Sequence, residues 1–290
     1  VGSKTPCEAT RENHQARGCL MHTIENPRQR TLNKPAMRSG RRFGPYRLVR
    51  RIARGGFGSV FVAVDTRTDV EVALKVPLTF DTENLSDFYR EIELVERLGH
   101  ANLLPLLRFE VVGSLPVASY SLGRELLDAR LTRRVTKKTA TTFAAQLLAG
   151  LAEMHRCGIL HCDIKPDNLV VFPNQVLRIG GFGLAVDFYR DRRKVCSGTA
   201  EYMAPECARG WVSRRSDVFS AALVIYELFT GQLLRRPFDW PATGYKRLNE
   251  VAPGLGPVLQ QALSRDPAAR FADAGAFEAE FNRVVQQWGA

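Results

Sequence analysis

A glycine cluster and a lysine that follows it have the clearest chemical use in this sequence. The cluster comprises Ala53, Arg54, Gly55, Gly56, Phe57, Gly58, Ser59 and Val60. Glycines let backbone N–H groups approach phosphate oxygens closely, although many glycine clusters are only turns. Lys75 has the small residue Ala73 two positions before it, which suits an ammonium group that reaches across an adenine ring to phosphates. The competing interpretation is a solvated lysine on an edge strand.

The segments around Lys75 must position these groups, and their patterns are those of strands. A dinucleotide-binding loop opens a helix after its glycines. Here residues 60–64 are β-rich and alternate, residues 65–69 have the composition of a turn, and residues 70–76 alternate again. A period of two places Ala73 and Lys75 on one face and the valines on the other. The sequence therefore predicts two strands after the glycine cluster.

A helix is predicted over residues 85–98, where apolar residues such as Phe88 and Ile92 recur at helical spacing. Glu91 lies off this apolar stripe, and by itself it is an ordinary exposed glutamate. Paired with Lys75, it would hold the ammonium group in place.

A second polar run, at residues 161–170, decides the class of protein. It reads His-Cys-Asp-Ile-Lys-Pro-Asp-Asn-Leu-Val, and it follows a helix-like run at residues 140–155. Together with the Val-Ala-Leu-Lys strand at residues 72–75, it resembles the catalytic domain of the eukaryotic-type protein kinases. The resemblance covers about residues 43–285.

Later landmarks of that family follow in order. Residues 198–206 read Gly-Thr-Ala-Glu-Tyr-Met-Ala-Pro-Glu, like the segment that closes an activation loop. Ser-Asp-Val-Phe-Ser at residues 216–220 opens an apolar, helix-like segment, and Arg-Asp-Pro-Ala-Ala-Arg-Phe follows at residues 265–271. Small-molecule phosphotransferases share the His-x-Asp…Asn loop but lack these three segments, so they are set aside.

The resemblance implies an α+β fold with two lobes, a small β-rich N-lobe over residues 43–120 and a larger helical C-lobe over residues 121–290. It implies ATP as a ligand in the cleft between the lobes, and a protein as substrate or partner. The connector at residues 117–121 would contribute to the adenine site, with Ala118 as a small gatekeeper. The residues implied to bind ATP, of which Val60 and Ala73 line the adenine ring, are Ala53, Gly55, Gly56, Phe57, Gly58, Val60, Ala73, Lys75 and Glu91.

The resemblance also assigns roles to single residues. Lys75 would contact the α- and β-phosphates and would pair with Glu91 of the predicted helix. Asp163 would accept the proton of the substrate hydroxyl, Lys165 would lie near the transferred phosphoryl group, and Asn168 would hold Mg²⁺. Lys165 and Thr199 together resemble the Ser/Thr class rather than the Tyr class. The implied structural anchors are His161, Asp217, Glu206 and Arg270.

The family pattern breaks at the metal-binding aspartate of Asp-Phe-Gly. The sequence has Gly181 at that position, followed by Phe182 and Gly183. Glycine has no ligand atom on its side chain, and the missing aspartate normally bridges Mg²⁺ to the β- and γ-phosphates. Removing one preorganised electrostatic group costs on the order of 10²–10³ in rate. We therefore expect Mg²⁺ binding to be weak or absent. The next acid, Asp187, has no evident geometry for rescue.

Two further departures are milder. Ala53 replaces the first glycine of the phosphate loop, and its methyl group matters only if that position needs a positive φ. Cys162 replaces the arginine that usually precedes the catalytic aspartate and pairs with a phosphorylated activation loop. Phosphorylation of Ser197 or Tyr189 is therefore predicted to lack this arginine as a partner.

Three functions remain open on these residues. The favoured one is a Ser/Thr protein kinase-like domain that binds ATP and whose phosphoryl transfer is impaired at Gly181. One alternative is a fully active, atypical Ser/Thr protein kinase, and it is supported by the other motif residues, which all survive. The other is a non-catalytic pseudokinase that serves as a scaffold.

The charge of the chain is concentrated at its start. The 290 residues carry a net charge of +11, and residues 1–44 hold nine basic and three acidic residues. The aromatic-poor tail at residues 1–42 is predicted to be disordered. A solvated extension is the favoured interpretation, over an arm that binds nucleic acid or an anionic surface. The spacing of Cys7, His14, Cys19 and His22 matches no usual zinc site.

The composition also bears on the compartment. Apolar residues make up 45% of the chain, and no apolar run approaches the roughly 20 residues that a bilayer crossing needs. No N-terminal stretch has the apolar core of a signal peptide. Six irregularly spaced cysteines do not suggest a disulfide framework. The expectation is a cytoplasmic protein without a membrane span.

Overall fold

The computed structural model describes residues 40–55, 58–77, 79, 81–190, 199–235 and 238–288. They divide into two units. The first contains the described residues up to Gly99 and Pro105–Leu122, and the second contains His100–Leu104 and the described residues from Gly123 onwards. The first unit is rich in β-strands and the second is mainly helical, which confirms the predicted α+β fold class.

The first unit is built on a six-stranded antiparallel sheet with the order β1-β2-β3-β4-β6-β5. Alternating apolar residues give one face of this sheet a hydrophobic core, which includes Leu48, Phe61, Leu74 and Val117. β4 lies between β3 and β6, so the interpretation of Lys75 as a residue of an edge strand is wrong. The strands are β1 (Arg42–Phe43), β2 (Tyr46–Gly55), β3 (Gly58–Asp65), β4 (Val70–Val76), β5 (Leu106–Val112) and β6 (Leu115–Ser121).

The helix of the first unit, α1, spans Thr82–Glu96. It begins earlier than predicted because the Asp81 side chain caps it, accepting the backbone N–H of Asn84 at 2.8 Å. Phe88 and Ile92 are buried at the helical spacing that the sequence indicated. The helix is therefore predicted correctly in type. Its start is set by the Asp81 cap, which lies outside the apolar pattern.

The second unit surrounds a helix that is buried along most of its length, α4. Ser213 and Ser216 form a capping box at its start, and Gly231 ends it with a φ of +69°. The helices are α2 (Leu127–Leu131), α3 (Lys137–Arg156), α4 (Arg214–Thr230), α5 (Tyr245–Val251), α6 (Leu255–Ala262) and α7 (Ala274–Gln286). The strands are β7 (Glu125–Leu126), β8 (Ile159–Leu160), β9 (Leu169–Phe172), β10 (Val176–Ile179) and β11 (Val186–Asp187).

The small sheets of the second unit hold its polar loops. β9 lies between β10 and β7 in a three-stranded antiparallel sheet, and β8 pairs with β11. The run at residues 161–168 therefore connects β8 to β9. Among the helices in the described part of the chain, none has the length and apolarity to cross a bilayer.

A buried ion pair joins two distant parts of the second unit. Arg270 donates from Nη1 to Glu206 Oε1 at 2.7 Å and from Nη2 to Oε2 at 2.9 Å. Its Nη1 also donates to the carbonyl of Arg215 at 3.0 Å, and its Nε donates to the carbonyl of Ser264 at 2.7 Å. The Arg270 side chain is 0% exposed. Burial alone would raise the pKa of Glu206, but the hydrogen bonds from Arg270 lower it overall.

We predict that Arg270→Ala lowers the free energy of unfolding by about 3–5 kcal/mol, because it leaves the Glu206 carboxylate without its cation. Urea denaturation followed by circular dichroism measures this loss. Arg283→Ala is the matched control, because Arg283 is 57% exposed in its pair with Glu280 and surface pairs contribute little. Equal midpoints for the two variants would show that the buried pair is not a structural anchor.

Candidate active site

Lys75 and Glu91 form a buried ion pair in the first unit. Lys75 Nζ donates to Glu91 Oε1 at 2.6 Å and also to Oε2. The two side chains are 12% and 4% exposed. Opposite charges held out of water compensate each other, so removing one leaves an unpaired buried charge. The interpretation of Glu91 as an exposed surface residue is therefore wrong.

The register of the sheet decides which side chains share a face with Lys75. Val60 on β3 and Ala118 on β6 both lie directly opposite Lys75. Opposed residues of antiparallel strands point to the same face, so Val60, Ala118 and Ala73 share the face of the ammonium. Val117 belongs to β6 rather than to a connector and is buried in the apolar core on the other face. Its predicted place in the adenine site is wrong.

Tyr120, whose own role the sequence reasoning missed although the residue lies within the segment 117–121, also lies on the Lys75 face. It lies directly opposite Ala73 and is 5% exposed. Its hydroxyl points to Glu91 and lies 3.5 Å from Oε1. Burial raises the pKa of the Tyr120 phenol, and the charge of Glu91 adds to this. Alternation along β6 could have placed Tyr120 on this face, but not the direction of its ring.

The glycine cluster joins β2 to β3, which pair at Gly55 and Gly58. Gly58 has a φ of +150°, and a Cβ at this position would lie 2.6 Å from the carbonyl oxygen of Val76. Only glycine fits there without moving the backbone. Ala53 is an ordinary strand residue paired with Val60, so its methyl group carries no positive-φ cost. The predicted residues Gly56 and Phe57 lie outside the described residues.

In the second unit, one buried carboxylate organises the loop that carries the predicted catalytic residues. Asp217, on α4, accepts the backbone N–H groups of His161 at 2.8 Å and Cys162 at 2.9 Å. Nε2 of His155 lies 3.1 Å from the same carboxylate, and Nδ1 of His155 accepts the N–H of Ala274. The ring proton therefore sits on Nε2 and points to Asp217. Burial alone would raise the pKa of Asp217, but the hydrogen bond from His155 helps to lower it overall.

The backbone of this loop is bent at Cys162, which has a φ of +64°. L-residues seldom adopt this conformation, and Asp217 holds it by accepting two consecutive N–H groups. His161 extends the network, because its Nε2 lies 2.8 Å from the carbonyl of Gly180 and its Nδ1 accepts the N–H of Asp163 at 3.2 Å. The loop is thereby connected to the segment before Gly181.

The structure brings Asp163, Lys165 and Asn168 together. Asn168 Nδ2 donates to Asp163 Oδ2 at 2.8 Å, and Lys165 Nζ lies 2.9 Å from the same oxygen. The backbone N–H of Thr199 donates to Asp163 Oδ1 at 3.2 Å, and Lys165 donates to the Thr199 hydroxyl. Both carboxylate oxygens are thus oriented by donors, as a positioned general base requires.

Gly181 has no room for a side chain. Its φ is +74°, and a Cβ built on it would overlap Oδ1 and Cγ of Asn168 and lie 2.9 Å from Asn168 Cβ. Asn168 is held in this position because its Nδ2 donates to both the carbonyl and the carboxylate of Asp163. The side chain of Asn168 therefore occupies the space that an aspartate at position 181 would need.

Gly181 brings no side-chain ligand for a metal ion to the position beside Asn168. In the part of the chain that the structure describes, no group of three or more His, Cys, Asp or Glu side chains is placed to bind one. Asp187 accepts the backbone N–H groups of Tyr189 at 2.9 Å and Arg190 at 3.2 Å, so its carboxylate stabilises the turn formed by the residues that follow it. The cysteines and histidines of residues 7–22 lie outside the described residues.

Arg214 is a second residue that the sequence reasoning missed. Its Nη2 donates to the hydroxyl of Tyr189 at 3.4 Å, and Tyr189 is 74% exposed. The unmodified Tyr189 hydroxyl therefore has an arginine beside it, although not the one that Cys162 replaces, and the statement about a phosphorylated Tyr189 stays a prediction. Ser197, named in the same prediction, lies outside the described residues.

Comparisons with known proteins bear on the family of this chain. A family model described as the protein kinase domain matches residues 46–271. Serine/threonine-protein kinase pkn3 of Myxococcus xanthus is 32% identical over 277 residues, which cover 83% of this chain and 50% of that protein. Probable serine/threonine-protein kinase PknB of Bifidobacterium longum is 32% identical over 272 residues, covering 82% of this chain and 39% of that protein.

A third relative extends the comparison to another genus. Serine/threonine-protein kinase PknD of Mycobacterium tuberculosis is 31% identical over 258 residues, covering 81% of this chain and 39% of that protein. The chain thus spans half or less of the length of these three relatives.

We predict that Asp217→Asn lowers the free energy of unfolding by about 3 kcal/mol at pH 7, because an NH2 group replaces one of the two acceptor oxygens and the buried charge is lost, so at least one backbone N–H group loses its acceptor. The pKa of Asp217 is lowered in the folded state, so its contribution is present at neutral pH and is lost as the pH falls below about 4. Urea titrations at several pH values measure both effects.

The gap in stability between the original protein and Asp217→Asn should therefore shrink on acidification. Asp239→Asn is the control, because that side chain is largely exposed. A gap that stays constant down to pH 3 would contradict the role given to the carboxylate.

Proposed function

We propose that this chain, which belongs to the protein kinase family, binds ATP and transfers its γ-phosphoryl group slowly to serine or threonine hydroxyls of protein substrates. The matched family model and the relatives show a Ser/Thr protein kinase domain. The reduced rate is our inference. The observation that carries it is the glycine at position 181, where the family has a metal-binding aspartate.

The chain's own residues support the binding and acceptor halves of the reaction. In the first unit, the ammonium of Lys75, fixed by Glu91, would neutralise the α- and β-phosphates. In the second unit, Asp163 would take the proton of the substrate hydroxyl, and Lys165 would compensate charge on the transferred group. The substrate hydroxyl oxygen forms the new P–O bond, and the bond from the γ-phosphorus to the leaving ADP oxygen breaks.

The charge on the β- and γ-phosphates is the part that this site compensates poorly. Mg²⁺ neutralises it in kinases when an aspartate and an asparagine hold the ion. Here Gly181 offers no carboxylate, and Asn168 is packed against Gly181 by its hydrogen bonds to Asp163. We therefore expect phosphoryl transfer to be slower by a factor on the order of 10²–10³.

A second candidate function is a non-catalytic domain that binds nucleotide and acts through a protein partner. The filled space at Gly181 is the observation that favours it. The intact group of Asp163, Lys165 and Asn168 favours residual transfer instead, because these residues keep the geometry of a general base.

We predict that the affinity of the chain for ATP changes less than about threefold when Mg²⁺ is added, because the site offers the ion little stabilisation. A metal contact worth about 1.4 kcal/mol would change the affinity tenfold. Thermal shift with ATP, with and without Mg²⁺, measures binding, and radiolabelled ATP with a basic protein substrate measures transfer. Lys75→Met should abolish both. Rapid transfer that depends strongly on Mg²⁺ would overturn the impaired-kinase proposal, and absence of any nucleotide binding would favour a scaffold.

We also predict that Gly181→Asp does not restore transfer, because its Cβ meets the side chain of Asn168. The left-handed backbone costs about 1 kcal/mol, and overpacking adds about 1–3 kcal/mol, so the melting temperature should fall. Gly181→Ala is the matched control, since it adds the same Cβ without a carboxylate. A gain of 10² or more in transfer by Gly181→Asp over Gly181→Ala, at an unchanged melting temperature, would contradict this.

A further inference from the structure

The buried phenol of Tyr120 occupies part of the face that carries Lys75. Its backbone lies directly opposite Ala73, while Ala118 lies directly opposite Lys75. Tyr120 and Ala118 are two positions apart on β6 and so share this face. The Tyr120 hydroxyl nevertheless reaches Glu91, the partner of Lys75. The ring therefore runs along the sheet from the position of Ala73 towards the ion pair.

The small side chain of Ala118 makes this course possible. Ala118 is 0% exposed and has only a methyl group beside the path of the ring. A long side chain there would stand between Tyr120 and Glu91. The ring of Tyr120 thus fills the strip of this face next to Ala73. A purine bound against Ala73 would need the same strip.

We propose that Tyr120 determines which ligands the Lys75 face accepts, because its ring must leave this strip before a purine can lie against Ala73. The inference rests on the proposed function, in which ATP is the ligand. Tyr120 is a specificity-determining residue here, and it acts by occupying space rather than by taking part in phosphoryl transfer.

The contacts of Tyr120 show that packing holds the ring in place more than its hydroxyl does. The hydroxyl lies 3.5 Å from Glu91 Oε1, beyond the usual 2.5–3.0 Å for an O–H···O bond. The ring, by contrast, is almost fully buried. A ligand whose site is free in only a fraction of molecules binds with an affinity lowered by that fraction. Removing the ring should raise nucleotide affinity, whereas removing only the hydroxyl should change it little.

The test compares ATP affinity across variants of Tyr120 by isothermal titration calorimetry without added metal. Tyr120→Val keeps a strand-forming residue and removes the ring, and we expect its Kd for ATP to fall at least about tenfold, as for a ring-free fraction of 0.1 or less. Tyr120→Phe keeps the ring, and its Kd should stay within about threefold of the original. Phe61→Val is the matched control, because it removes a buried ring from the opposite face of the same sheet.

A second measurement uses the unaltered chain and does not depend on a variant that folds. Tetranitromethane nitrates accessible tyrosines, and peptide mass spectrometry locates the product. We expect nitration of Tyr120 to rise when ATP is present at saturation, while Tyr46, which is 0% exposed on the other face, stays unmodified.

The outcomes separate this inference from the proposed function. If the original chain and Tyr120→Val bind ATP equally, or if saturating ATP leaves nitration of Tyr120 unchanged, Tyr120 does not control the site, while ATP binding stands. If neither protein binds ATP although both are folded, ATP binding itself is wrong, and so is the role of Tyr120.

Discussion

The second unit depends on one buried carboxylate. Asp217 accepts hydrogen bonds from two successive backbone N–H groups and faces the ring of His155, so a helix, a strained loop and the start of α7 meet at a single charge. An unpaired carboxylate at this depth would be costly, but each of its donors offsets part of that cost. The left-handed Cys162 and the orientation of Asp163 follow from these bonds. The position of Asp163, the proposed general base, is therefore set by a residue far from it in the sequence.

In the first unit, a charged side chain is held in position in a different way. Its cation is held by a single partner, Glu91, and the rest of the surroundings of Lys75 is set by strand register. Because a shift of one residue would move Lys75 to the other face, the apolar core behind the sheet is what keeps the ammonium in place. Loss of the aspartate at position 181 leaves this part untouched. In the proposed function, binding of phosphates and handling of a metal thus rest on different residues.

The sequence predicts the parts of the site that local patterns encode. Period two gave the shared face of Ala73 and Lys75, and helical spacing placed α1, although Asp81 moved its start. Position in a motif indicated the group around Asp163. Two contacts between residues distant in the sequence were not predicted, the Tyr120 hydroxyl near Glu91 and Arg214 beside Tyr189, and Val117 was assigned to the wrong face. These features depend on side-chain direction or on sheet register, and the residue pattern of a single strand determines neither of the two.

The contact of Gly181 with Asn168 has a consequence for the history of such a site. Once the side chain at position 181 is gone and Asn168 fills its place, a mutation that brings the acid back meets an occupied interior. Reversal would require a second change that moves Asn168, whose amide is committed to Asp163. A single substitution at position 181 is therefore disfavoured, and a side chain fits there only together with a change that moves Asn168.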